Sequence, residues 1–172
     1  TYYFRVGSLN WNGVANYAAA VSTLMPIQLG VSLTTHTLTL PGLTDLNYTF
    51  VISTSIILTN TGNVPETYLL SATTTTTGSP WTIGATPAQD RFVLWSVVNS
   101  TIPAAVDFEA ADKLADTEAP CALGAFTMNN ETCVQVPVGG TNTLWMQLAM
   151  PIVTSTAAAQ DIRITARAVK DP

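Results

Sequence analysis

Two cysteines, Cys121 and Cys133, stand with eleven residues between them. Two thiols alone make a poor metal site, and neither a CxxC pair nor a histidine cluster joins them. The pattern points to a disulfide closing a short loop, and so to an oxidising compartment outside the cytoplasm. Five acids, Asp107, Glu109, Asp112, Asp116 and Glu118, fall within twelve residues. A hard cation such as calcium gathers roughly six to eight oxygens, but the glycine of an EF-hand loop is missing. The favoured reading is the solvated face of a short helix, with Asp107 near its electropositive N-terminus; calcium binding stays open. The single histidine, His36, lies among threonines on an expected strand. Neither a GxSxG elbow nor a phosphate-binding glycine loop nor an HExxH helix is present, so a non-enzymatic protein without a cofactor is expected. Three N-x-Ser/Thr sequons, at Asn47, Asn99 and Asn130, are candidate glycosylation positions. Trp11, between Asn10 and Asn12, is a candidate exposed platform for a sugar or a partner subunit.

The composition constrains what can carry these groups. The chain has 172 residues, of which 47% are hydrophobic and only 10% charged, with a mean hydropathy of +0.30. An ordinary domain carries about 25% charged residues. No apolar run reaches the roughly 18 residues of a membrane-spanning helix; Val51 to Leu58 is broken by Ser53, Thr54 and Ser55. Twenty-eight threonines keep strand faces polar without charge. The net charge of −5 leaves no basic patch for nucleic acid. Arg5, Arg163, Arg167 and Lys170 make the two ends basic, while nine of eleven acids lie between Asp45 and Glu131. The ends of one subunit could therefore meet the body of another. The absence of Met before Thr1 fits removal of a signal peptide, and equally a trimmed chain.

The periodicity supplies the elements. Residues 1–8 alternate, with Tyr2, Phe4 and Val6 on one face. Residues 9–30 read as a turn at Asn10–Gly13, then a helical turn or irregular chain. Strands are expected over Val31–Leu40, Tyr48–Thr59, Glu66–Thr77, Thr143–Met150 and Asp161–Val169. Asn60-Thr61-Gly62-Asn63 reads as a tight turn using positive φ. Arg91–Val98 is apolar throughout and reads as a central strand buried on both faces. Phe126–Met128 and Cys133–Val136 could pair. Trp95 and Trp145 are expected in the core. Phe108, Ala111, Leu114 and Ala115 predict one helix over Asp107–Asp116. The fold class is thus all-β: a single antiparallel β-sandwich, Ig-like or jelly-roll, with an extended N-terminal strand and one short helix.

The stretch Ile57-Leu-Thr-Asn-Thr-Gly-Asn-Val-Pro-Glu-Thr-Tyr68 carries a resemblance. It is similar to the strand, Asn-Thr-Gly-Asn, Pro, strand segment of secreted Ig-like sandwiches on prokaryotic surfaces. These include the TasA/camelysin-like biofilm fibre proteins and the archaeal bundling pilins. The match covers about a dozen residues; the rest of the chain agrees in pattern only. The resemblance implies a fibre subunit that polymerises by donor-strand complementation. The donor would be residues 1–8, with Tyr2, Phe4 and Val6 as plugs, and residues 9–172 would form the sandwich. Strand addition supplies main-chain hydrogen bonds, buries alternate side chains and, head to tail, does not close.

The expected function is therefore a structural subunit of an extracellular or cell-surface filament. Its partners are copies of itself, with no nucleic acid and no membrane insertion. The long apolar N-terminal helix of type IV pilins and the sortase LPxTG signal are absent from these residues. Two other readings remain: a carbohydrate-binding or adhesive sandwich, and a subunit of a surface-layer or capsid shell.

Overall fold

The computed structural model describes the chain except residues 1, 5, 6, 10, 14, 18, 20, 36, 41–45, 123, 171 and 172. Within strands it leaves undescribed the side chains of residues 2–4, 7, 9, 16, 21–23 and 38–40. Four short strands come first: β1 (Tyr2–Phe4), β2 (Gly7–Leu9), β3 (Ala15–Tyr17) and β4 (Val21–Thr23). Then follow β5 (Val31–Leu33), β6 (Thr37–Leu40), β7 (Thr49–Asn60), β8 (Glu66–Thr74), β9 (Thr82–Ile83) and β10 (Arg91–Val98). The chain ends with β11 (Ala119–Pro120), β12 (Thr141–Ala149) and β13 (Gln160–Lys170). The protein is nearly all-β.

Two sheets form the body. One has five strands in the order β5-β7-β12-β10-β9, the other four in the order β11-β8-β13-β6. Every pairing in them is antiparallel except that of β9 with β10. The alternation that marked these strands places Ile56, Leu58, Leu144, Met146 and Leu148 of the first sheet in one buried cluster. Tyr68, Leu70, Ala72, Ile162 and Ile164 of the second sheet join the same cluster. Burying each of the leucine, isoleucine and methionine side chains among them contributes roughly 1.5–3 kcal/mol.

Several expectations change. β12, not Arg91–Val98, is the central strand of its sheet. β10 is still buried on both faces. Pro103 and Phe108 in the following segment are buried, and the Gln147 amide of the neighbouring strand donates to Ala105 O at 3.1 Å. No α-helix forms over Asp107–Asp116; two 3₁₀ turns take its place, at Ala105–Asp107 and Ala110–Asp112. Each turn starts with its carboxylate capping the chain and gives way at once to extended backbone, at Phe108 and at Lys113. Asp107 Oδ2 accepts the Ala104 N–H and Asp112 Oδ2 the Glu109 N–H, each at 2.7 Å. The next residues then extend along β10, with the Leu114 N–H donating to Leu94 O at 2.8 Å. Phe126–Met128 and Cys133–Val136 do not pair with each other. Thr127 bridges Val98, and Val136 bridges Glu66. Trp95 and Trp145 are only half-buried. The tryptophan in the core is Trp81, 1% exposed, whose indole N–H donates to Thr154 Oγ1 at 2.7 Å.

Thr154 belongs to a polar corner ordered by Asp90. Its carboxylate accepts the Ser155 N–H at 2.6 Å and the Thr154 hydroxyl at 3.0 Å. The Ser155 N–H, foremost among these bonds, holds the Asp90 carboxyl below its ordinary value of 3.8. A depressed folded pKa stabilises the fold above the unfolded value, and that contribution is lost as pH falls through the folded one. Asp90→Asn should therefore lower the midpoint at neutral pH and converge with the wild type at low pH, so that its acid limb below about pH 4 is flatter. Asparagine retains the acceptor oxygen and tolerates the local φ of 52°. Thermal melts between about pH 2 and pH 7 check this; an unchanged acid limb in the variant would refute it.

Candidate functional site

The first 23 residues stand as a unit. β1 pairs with β4 and β2 with β3, both antiparallel, so the chain folds back on itself as a hairpin turning at Trp11–Gly13. The register shifts by one residue between the two ladders, from Phe4↔Val21 to Gly7↔Tyr17. Strand structure thus replaces the helical or irregular chain expected after residue 13. The run Ala15–Tyr17 is weak in β-formers, and only the pairing with Gly7–Leu9 selects it. Tyr2 and Phe4 lie on β1; Val6, like His36, falls outside the described residues.

Every described side chain from Ser8 to Leu29 is exposed. Trp11 is 98% exposed and Tyr17 59%. Leu24, Met25, Ile27 and Leu29 follow, between 43% and 77% exposed. These six are nearly half of the thirteen large exposed hydrophobics among the described residues, so apolar surface is concentrated in the first 29 positions. Single exposed apolar residues are ordinary; a contiguous run marks an interaction surface. Sequence reading singled out Trp11 and missed Leu24–Leu29, although Leu-Met-Pro-Ile-Gln-Leu lacks charge altogether.

The Asn60–Glu66 segment holds this arm to the body. Asn63 accepts the Gln28 N–H on Oδ1 at 2.8 Å, donates its own N–H to Gln28 O at 3.0 Å, and donates Nδ2 to Pro26 O at 2.9 Å. The Thr61 N–H reaches Gly30 O at 2.8 Å, and the Gly30 N–H reaches Glu66 Oε1 at 2.7 Å. Glu66 is fully buried. Asn60, 2% exposed, spans the turn: its Nδ2 donates to Val64 O and Val136 O, and its Oδ1 accepts the Gly62 N–H. The turn chemistry had suggested positive φ at a Gly or Asn, but none of Asn60, Gly62 and Asn63 adopts it. Gly62 is needed for close approach, because a Cβ there would collide with Glu66 Oε1 and Gln28 O.

No family model, curated protein or solved structure matches the chain. Its chemistry therefore rests on its own geometry.

Cys121 and Cys133 form the disulfide, with Cα atoms 5.4 Å apart and both residues fully buried. It clamps an excursion against β8. The Cys121 N–H donates to Tyr68 O at 2.9 Å, and the Tyr68 N–H to Cys133 O at 3.0 Å. The Tyr68 hydroxyl has no hydrogen-bond partner among the described residues, and its pKa is pushed up to about 12 by burial, with Glu66 adding to the effect.

The acidic run is spread over several tasks. Asp107 and Asp112 close the 3₁₀ turns. Asp112 also accepts the Phe126 N–H on Oδ1 at 2.8 Å, and burial raises its pKa. Glu118 pairs with Arg167 on the surface, Oε2 to Nη2 at 2.6 Å. Among the described residues no group of three His, Cys, Asp or Glu side chains could hold a metal ion. A cleft of about 460 Å³ does open beside Asp107, Glu109, Asn129 and Asn130. Of the sequons, Asn47 and Asn130 are exposed, both with positive φ. Asn99 is 2% exposed, and its amide nitrogen donates to Thr101 O and Oγ1. Among the described residues no helix is long and apolar enough to cross a membrane.

Proposed function

We propose that this chain is a non-enzymatic structural subunit of an extracellular filament, a pilus or biofilm fibre, built by head-to-tail strand addition between copies. The two sheets are read as an antiparallel β-sandwich of Ig-like or jelly-roll type. The observation that carries the proposal is the N-terminal hairpin, paired with itself and followed by an exposed apolar run. A lone two-stranded hairpin is marginal in water, and stability comes when a sheet or partner covers it. Joining a neighbour's sheet provides that cover and removes an open edge. The buried disulfide supports an oxidising, extracellular setting. The low charge leaves little repulsion between like subunits.

Electron microscopy of the full chain should show filaments. Deleting residues 1–8 removes β1 and part of β2, and should leave monomers by light scattering with a fold unchanged by circular dichroism. Fibres from the truncated chain under negative stain would sink the proposal. One observation favours a second reading, an adhesive or sugar-binding surface: Trp11 is almost fully exposed at the hairpin turn. Glycan-array binding by a monodisperse monomer, abolished by Trp11→Ala, would select it.

A further inference from the structure

One side of the body is unfinished. β6 pairs with β13 only over Gln160–Arg163, and β5 pairs with β7 only over Leu58–Asn60. Among the described residues nothing pairs with Ile164–Lys170 on the side away from β8. Asp161 fixes which groups face outward. Its C=O accepts the Thr75 N–H at 2.9 Å and its N–H donates to Thr76 Oγ1 at 2.8 Å, both on the β8 side. Strand alternation then turns the N–H and C=O of Ile164, Ala166 and Ala168 toward the open side. Beside them runs a groove of about 420 Å³ lined by Leu33, Arg163, Ile164, Thr165 and Ala166. Val31, Leu33, Ala166 and Ala168 pack on the core yet stay half-exposed. Among the described residues no strand covers the core there.

We propose that this half-edge receives the N-terminal arm of a second copy, with Tyr2–Leu9 as the added strand. The assignment rests on the filament reading above and names its acceptor. The open edge spans seven residues, about 23 Å at 3.3 Å each, and Tyr2–Leu9 spans about 26 Å. Two aromatic plugs cover about 150–250 Å² each. With the matching area of the groove they bring the contact to the order of 1,000 Å² that a specific interface requires. Each partner has what the other lacks: the arm is a ribbon without a sheet, and the body is a sheet without its last strand.

Hydrogen exchange on wild-type protein tests this without a mutation. In filaments the amides of Ile164, Ala166 and Ala168 should exchange at least roughly a hundredfold more slowly than in dilute monomer. If filaments form while these amides exchange at the monomer rate, the filament reading stands and the groove is wrong. If no filaments form, the filament reading itself fails and takes the groove with it. Protection already present in dilute monomer would mean that the chain's own arm fills the groove, which also overturns the proposal. Ala166→Pro removes an outward N–H and keeps the β8 ladder. It should stop elongation, and mixed with the chain lacking residues 1–8 it should give dimers and nothing longer. Long fibres from a folded Ala166→Pro chain would reject the assignment.

Discussion

Replacing Trp81 with alanine should lower stability by about 3–5 kcal/mol, the range for emptying a buried aromatic site. The side chain is 1% exposed, its ring centroid lies 6.2 Å from that of Phe92, and its N–H is satisfied by Thr154. The variant therefore loses core volume and a buried hydrogen bond together. For a chain of this size that corresponds to a fall of roughly 10 °C in Tm. Trp81→Phe separates the two contributions. It keeps much of the apolar volume, loses the donor, and should cost about 1–2 kcal/mol. Urea titrations followed by circular dichroism give both numbers. A loss below about 1 kcal/mol for Trp81→Ala would show that the core closes over the site.

Removing the disulfide with Cys121→Ala and Cys133→Ala should cost about 3 kcal/mol, from the loop-closure entropy of a short ring. The two cysteines are twelve positions apart, and both are fully buried. The loss should begin locally, since Cys121 and Cys133 each share a backbone hydrogen bond with Tyr68 at the edge of β8. Reductant should act slowly on the wild type, because the sulfurs become reachable only after that edge opens. Denaturation midpoints with and without reductant, with mass spectrometry confirming the thiol state, measure the effect. Identical midpoints would rule it out.

The body was largely legible in the sequence because its strands alternate strongly. Ile162 and Ile164 point inward on β13 while Arg163 and Thr165 point out. The disulfide was legible because two lone cysteines leave little else to do. Other features depend on distant partners. Trp81 follows Ser79-Pro80 in a polar context, and only packing against Phe92 and Thr154 marks it as core. The apolar spacing of Phe108, Leu114 and Ala115 suggested a helix. The open side of β10 offered the backbone after Asp112 another partner, with the Leu114 N–H donating to Leu94 O. In the sequence Glu66 marks only the start of a strand. It is buried because Gly30, thirty-six residues earlier, donates its N–H there. The Asn-Thr-Gly-Asn motif was noticed for its likeness to other chains; its work in this chain is to hold the arm.

That hold has a mechanical consequence. In a polymer joined through its arms, tension along the axis enters each subunit at the arm and must leave through the body. The joint consists of five hydrogen bonds between residues 26–30 and residues 61–66. They lie along a short stretch of chain, so a pull on the arm would be shared among them. Glu66, carrying the innermost of these bonds, starts β8, which β13 pairs along its whole length. On the filament reading proposed above, force would pass into the ladder of β8 with β13, and the turn that looked like a simple connector would couple the chain to its neighbour.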